Sequence, residues 1–406
     1  DGLVSPPDDP LDFVSGYAPS FKPVRVVTDT LCLGCGDEST LGSHVQIKSK
    51  FSGVCAGARV AGARLVGWVA SWAYVARKCY CNAHRAMCMR HGVVQPAVVA
   101  DFKLMTASVV KVIRDLRCRY DEWATYQYDE WKLKWPEGKR RATDRSRLLD
   151  RVMPGKVKTT VKREVYSSRF RRARLIQAYP NLATQSAHAP AFWKFQHVTS
   201  EHFRRVELFP GVYATIACGM NAGDIADWMT SCLARGPVAF YESDGKNWDG
   251  TMSDAHLQLK LAAYRAYDAD LARFAEDCNK VRGFANFREG LFSYVVRGTV
   301  KSGHNDTTLG NSIVRVMIAA DVFRRLGVPC DIIVVGDDMF VCAYTDFDEG
   351  SARRLESEYG IVPDSRKFYS PYDGSFISAI WVTDGERVFF VPKPGRLLAR
   401  LWWTVS

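Results

Sequence analysis

The sequence predicts an α+β fold in which an antiparallel sheet carries flanking helices, and three stretches of its 406 residues predict it. "DIIVVGDDMFVCAY" (331–344) is two apolar, β-branched runs around Gly336, which reads as a hairpin. "GPVAFYESDGKNWDGTMS" (236–253) starts as a buried strand and ends in Asp, Gly and Asn. "GTVKSGHNDTTLGNSIVRVMIAADVFRRLG" (298–327) is a strand, a loop and a long helix. Asn305 or Asp306 serves as its N-cap, and Gly327 with Pro329 as its stop.

In chain order, residues 1 to about 30 are rich in Pro, Asp and Ser and read as an extended arm over the body. A Cys-rich region follows to His91. Within it "VAGARLVGWVASWAYVA" (60–76) is the most apolar stretch. It is interrupted by Arg64 and falls short of the roughly 20 residues of a spanning helix, so it reads as a buried or amphipathic helix, with peripheral membrane contact as the alternative. Asp101 to Asp150 is helical in pattern, charged and dotted with Trp, and Pro154-Gly155 breaks it. "KVKTTVKREVYSSRFRRARLIQAYP" (156–180) alternates β-branched and basic residues, as strands or an ordered loop would. Helix is expected from Ser253 to Arg282 and from Asp348 to Tyr359, and short strands at Ser375–Val382 and Arg387–Val391.

Charge is the first functional clue. Between Lys111 and Arg174 twenty Lys and Arg face nine Asp and Glu, an excess equal to the net charge of +11 for the whole chain. Such a concentration points to a polyanion: nucleic acid, nucleotide phosphates or an anionic membrane. Twelve cysteines in a chain of this length lack the density of a small secreted disulfide scaffold, so a reducing compartment is expected. No signal peptide is read, and the opening Asp1 in place of Met predicts a processed piece of a longer chain.

The chemistry concentrates on acids at strand ends. Asp337 and Asp338 sit at the hairpin tip, where they are exposed enough to ionise and rigid enough to point. Asp244 ends a strand and Asp249 follows five residues later. Clustered carboxylates repel one another, and divalent cations with a taste for hard oxygen relieve the repulsion, which suits Mg²⁺ or Mn²⁺. Two such ions can activate an attacking hydroxyl and stabilise both oxygens of an in-line phosphoryl displacement. Between the acids lies "SGHNDTTLGN" (302–311). Gly303 allows flexing or close approach, and Thr307 and Asn311 share a helix face that can offer hydroxyl and amide groups to a ribose. Capping and loop bonding explain the same polar residues taken alone.

The ordered set Asp244-x4-Asp249, Ser302-Gly303-x3-Thr307-x3-Asn311 and Gly336-Asp337-Asp338 resembles the palm motifs of RNA-dependent RNA polymerases of positive-strand RNA viruses, most closely the tombusvirus-like branch. The resemblance covers roughly residues 155 to 382. It implies a right-hand polymerase: fingers, a palm built on the antiparallel sheet, and a reduced thumb. The implied division is an N-terminal extension joined to the fingers (1–100), fingers with the basic nucleotide-channel motif (101–200), palm (201–260), a fingers insertion (261–298), palm (299–382) and a short thumb or thumb remnant (383–406).

The resemblance also implies roles. Asp244 and Asp337 would ligate two catalytic Mg²⁺ or Mn²⁺ ions, with Asp338 a weaker or indirect ligand. Asp249 with Asn311, helped by Ser302, would sense the 2′-hydroxyl that separates RNA from DNA precursors. Lys162, Arg163, Arg172 and Arg174 would hold the triphosphate, Arg169 and Arg171 would meet template or solvent, and Lys367 would donate a proton to pyrophosphate. The strand Ser375–Val382 would lie against the primer. Partners would be template and nascent RNA, NTPs and other viral replication proteins, in the host cytoplasm or at membrane-bound replication complexes.

"LCLGC" and "CYCNAHRAMCMRH" give Cys32, Cys35, Cys81, His84, Cys88 and His91, a set from which Zn²⁺ ligands could be drawn. Buried free thiols and helix-surface histidines are the favoured reading. Two rivals to a viral polymerase remain at this point: a non-enzymatic RNA-binding or packaging protein, and another palm-type transferase such as a reverse transcriptase or nucleotide cyclase.

Overall fold

The computed structural model describes residues 23–26, 45–51, 63–66, 74–75, 78–119, 128–162, 165–166, 174–394 and 403–405. Two mixed sheets organise it. The larger has six strands in the order Pro363–Phe368, Ala239–Gly245, Asp338–Ala343, Cys330–Val335, Val212–Ile216, Val206–Phe209. The expectation of an antiparallel sheet needs correction. Cys330–Val335 runs parallel to Val212–Ile216, the other neighbours being antiparallel. A parallel pair needs a long crossover, and here the connection includes the helix Thr307–Leu326 packed on the sheet.

Both faces of this sheet are covered. Ile332, Val334, Met339 and Val341 enter the core shared with the long helix. Ile333, Phe340 and Cys342 enter a second core with the helix Ala222–Leu233, Phe376 and Trp381. Alternate residues thus meet different cores, which is why the hairpin reads as a continuous apolar run and not as an alternating one. The long helix ends as expected, with Gly327 left-handed at φ 68°. Its start differs. Asp306 occupies the N-cap but makes no cap bond, because its buried carboxylate accepts from Lys260 Nζ at 2.7 Å and from the Tyr264 hydroxyl at 3.4 Å.

The second sheet has five strands in the order Val45–Phe51, Gly290–Arg297, Lys280–Phe287, Lys156–Val161, Leu175–Ala178. The helix expected to reach Arg282 breaks at Asp268, which is extended and caps a second helix through Leu271 N at 2.7 Å. Residues 280–297 then form a hairpin whose inward residues alternate along both strands. That period of two was the signal that could have shown it. In the apolar stretch 60–76, the described parts are strands, Ala63–Val66 and Tyr74–Val75, and not helix. A short apolar run does not by itself separate a buried strand from a buried helix, and the pairing partners Pro23–Val26 and Trp403–Val405 decide here.

Two histidines are locked neutral in the interior. His256 Nδ1 accepts from Ser253 N at 3.1 Å, so Nε2 carries the proton and donates to Tyr359 O at 2.7 Å. Burial pushes its pKa down to about 4, and that of His304, stacked on Tyr179 at 4.4 Å, to about 3. The unfolded chain takes up these protons near pH 6.5 and the folded chain only well below it, so stability falls as pH drops through that window. His256 alone accounts for roughly 3 kcal/mol between pH 6.5 and 4. Urea midpoints should decline steadily from pH 7 to 5, and His304→Phe, which keeps the stack, should flatten the decline. A flat wild-type profile would show that these rings take up protons in the fold as readily as in the unfolded chain.

Candidate active site

The acid strand Ala239–Gly245 lies between two antiparallel partners. Its register with the hairpin runs out at Ser243 opposite Met339, so the next pair outward is Asp244 and Asp338. Val335 faces Asp338 across the turn, leaving only Gly336 and Asp337 in the loop. Gly336 has φ 64° while Asp337 is not among the positive-φ residues, the pattern of a turn with glycine at its first central position. The hairpin tip is pinned from behind: Gly336 N donates to Ser312 Oγ of the long helix at 2.7 Å.

The structure brings these acids together. Burial pushes the Asp337 carboxyl above the usual range, with repulsion from Asp244 next and Asp249 adding to it. Asp244 is raised by partial desolvation, although its side chain reaches solvent, and Asp364 across the strand pair adds repulsion. One cation opposes this. Arg315 lowers both carboxyls from behind the strand. It is fully buried, ion-paired with Glu356 at 3.0 Å and donating to Ser243 O at 2.8 Å, the residue before Asp244. Glu356 also accepts from the Tyr241 and Ser243 hydroxyls, each at 2.8 Å.

Neighbouring carboxyls whose charge is disfavoured offer hard oxygen, a donor chemistry that fits a divalent cation. Among the described residues no three His, Cys, Asp or Glu side chains are grouped so as to hold a metal ion by themselves. Mg²⁺ characteristically takes one or two protein carboxylates and completes its shell with other oxygen ligands, a habit that two neighbouring carboxyls fit.

Asp249 and Asn311 also meet. Asn311 Nδ2 donates to Asp249 Oδ1 at 3.1 Å, and Arg90 is ion-paired with the other oxygen. Ser302 and Gly303 lie against the basic segment. Ser302 Oγ donates to Leu175 O at 3.3 Å, and Gly303 bridges Ala178. A Cβ at Gly303 would stand 2.5 Å from Gln177 O, so close backbone approach is what this glycine allows. Thr307 is turned to local use: its hydroxyl donates to Lys301 O at 2.8 Å and His304 O at 3.0 Å. Lys162 and Arg174 flank the base of the basic loop, Lys162 N donating to Arg174 O at 2.8 Å. Arg163, Arg169, Arg171 and Arg172 lie outside the described residues.

Lys367 is not brought to the acids. It pairs with Tyr241, three residues before Asp244 and on the opposite face of the sheet. Its ammonium binds Asp346 and donates to Phe347 O at 2.6 Å. Local spacing after the hairpin gave no view of which face the strand would turn toward the acids.

The described part of the Cys/His set lies on one helix, Tyr80–His91. Cys81 and His84 are buried on the helix Tyr80–His91, and His84 stacks on Tyr80 and meets Phe292 edge-on. Cys88 Sγ lies 3.8 Å from His84 Nδ1, and His91 is buried. Cys32 and Cys35 lie outside the described residues.

Sequence reasoning missed Arg90, Asp364, Ser312 and Arg315. Arg315 carried a signal, since it stands four residues after Asn311 and eight after Thr307 on the same helix face. Arg90, 159 residues before Asp249, carried none.

The acid strand, the Gly-Asp-Asp hairpin and the Ser-Gly loop all fall inside residues 126–403, which the model of the RNA dependent RNA polymerase family matches; that is more than half of the chain, and the chain belongs to that family. Among individual relatives, the RNA-directed RNA polymerase of Panicum mosaic virus (strain United States/Kansas 109S) is 36% identical over 117 residues, 28% of this chain and 12% of that protein. That of Groundnut rosette virus (strain MC1) is 36% identical over 136 residues, 32% of this chain and 16% of that protein. The replicase polyprotein 1ab of Beet yellows virus (isolate Ukraine) is 33% identical over 113 residues, 28% of this chain and 4% of that protein. The chain thus matches less than a fifth of each relative's length. The tombusvirus-like resemblance read from the motifs agrees with the first two. Among the described residues no helix is long and apolar enough to cross a membrane.

Proposed function

We propose that this chain copies an RNA template from NTPs by two-metal-ion nucleotidyl transfer, in viral RNA replication. The observation that carries the reading is that Asp337 at the hairpin tip lies close enough to Asp244 for its carboxyl to be raised by that charge, inside the segment matched by the polymerase family. Asp244 and Asp337 would hold the ions, with Asp338 beside them as a weaker ligand. When bound, Mg²⁺ or Mn²⁺ supplies Lewis acidity to the attacking and leaving oxygens. The chain's own residues do the positioning. Arg315 and Glu356 fix the backbone before Asp244. Ser312 holds the hairpin tip. Asp249 and Asn311 present the acceptor and donor that a ribose 2′-hydroxyl needs. Lys162 and Arg174, with Arg163 and Arg172, are assigned to the triphosphate. The 3′-hydroxyl of the nascent strand attacks the α-phosphorus and pyrophosphate departs.

The six-stranded sheet is assigned to the palm. The five-stranded sheet, which gathers strands from within 1–100, 101–200 and 261–298, is assigned to the fingers. The hairpin Ala379–Thr383 with Val388–Pro392 stands on the Asp244 face beside Phe240 and Phe340, where a primer strand would pass.

Template-directed incorporation by the purified chain tests the reading. The complementary NTP should be added, its dNTP counterpart much less efficiently, and chelation of divalent metal should abolish the reaction. RNA binding without incorporation would favour a packaging protein, and preference for dNTPs a reverse transcriptase.

A further inference from the structure

The loop Asn247–Met252, which carries Asp249, is held by a part of the chain outside the family-matched region. The helix Tyr80–His91 and the residues after it clasp it. Asn247 Nδ2 donates to Arg90 O at 3.2 Å, and Gln95 Nε2 donates to Met252 O at 2.9 Å and to Gly250 O at 3.3 Å. Gly250 allows the contact, since a Cβ there would run into Arg90 O. From this helix the Arg90 guanidinium reaches Asp249 Oδ2, while Asn311 Nδ2 takes Oδ1 at 3.1 Å from the other side. The pair is mostly withdrawn from water, with side chains 17% and 13% exposed.

A carboxylate offers about four lone-pair sites. Two are taken here, one on each oxygen and from different elements, so the carboxylate plane is fixed and a lone pair on each oxygen remains for a substrate hydroxyl. With Asn311 alone, the group could rotate about its last bond and meet 2′-hydroxyl and 2′-hydrogen with little difference. A guanidinium suits this use better than an ammonium, because its planar fork fixes direction as well as charge.

We propose that Arg90 is the positioning residue for sugar selection: the N-terminal helix, through Arg90, orients the Asp249 carboxylate that distinguishes NTPs from dNTPs. This rests on the polymerase reading above.

The test compares kcat/KM for ATP and dATP on one RNA template, using the full chain as wild type, Arg90→Gln, Arg90→Lys, Asp249→Ala and the double variant Arg90→Gln with Asp249→Ala. RNA affinity and thermal unfolding are measured alongside. Arg90→Gln should lower the ATP/dATP ratio by about tenfold or more, with RNA affinity little changed. Arg90→Lys should fall between it and wild type. In the Asp249→Ala background the same Arg90 change should alter the ratio by less than about twofold, because the group it orients is gone. An unchanged ratio in both Arg90 variants, or an equal loss with and without Asp249, would overturn the proposal and leave Arg90 a clip between helix and loop. If Arg90→Gln does not fold, the Arg90→Lys ratio and its own cycle with Asp249→Ala decide on the same criteria. A wild type that incorporates nothing would overturn the polymerase reading itself; one that incorporates but ignores Arg90 overturns this inference alone.

Discussion

Replacing Asp337 by Asn is expected to lower nucleotide incorporation by about 10³-fold or more, while the unfolding temperature stays level or rises. Both halves follow from the same crowding. Asp337 is pressed by desolvation and by the charges of Asp244 and Asp249, which raise its pKa. Holding it ionised at neutral pH therefore costs folding free energy, and a neutral amide of the same shape relieves that cost. The same amide is a poor ligand for a hard divalent ion. Mg²⁺ should accordingly raise the unfolding temperature of the wild type and do so much less for the variant, since only binding to the folded state stabilises. Incorporation at the wild-type rate by Asp337→Asn would remove the hairpin from the chemistry. A sharp fall in its unfolding temperature would mean that the carboxylate is structurally satisfied and the repulsion argument is wrong.

The second large effect belongs to Arg315. Arg315→Met should destabilise the protein by about 3–5 kcal/mol, because it leaves the buried Glu356 carboxylate without its cation. The side chains are 0% and 1% exposed, so solvent cannot take Arg315's place. Activity should fall as well, for a separate reason. The guanidinium holds the carbonyl of Ser243 and is the cation that eases the charge on Asp244 and Asp337. Arg315→Lys separates the two contributions. It keeps a positive charge but not the fork that spans Glu356 and Ser243. It should regain part of the stability and bind metal better than Arg315→Met, yet remain slower than wild type. Urea unfolding and Mg²⁺ titration of the three proteins give both answers. An Arg315→Met protein as stable as wild type would show that this pair is not sealed from water.

Much of this was legible in the sequence because it depends on short-range chemistry. Gly336 with two acids between β-branched runs reads as a tight turn that carries carboxylates at a strand end. Asn311 lay one helical turn from Thr307, and a strand ending in Asp244 came before both. Length and order of these pieces were enough to suggest a polymerase palm, and the family match agrees. Errors arose where a residue's surroundings, and not its neighbours in sequence, decide its state. Asp306 takes the N-cap position as read, but a buried Lys260 and not the helix backbone holds its carboxylate. The segment 253–297 began as helix and ended as a hairpin because the second half found a sheet to join.

The sequence by itself determined the chemical inventory: which acids, amides and cations exist, and which of them sit on turns, strand ends or one helix face, since backbone periodicity and turn stereochemistry act within a few residues. Tertiary structure alone decided which of these groups touch. It set Arg90 on Asp249 and Arg315 behind Asp244, and it made one strand pair parallel in each of the two large sheets. Those pairings link residues far apart in the chain, and their stability comes from desolvation and charge in an interior that exists only once the whole chain has folded.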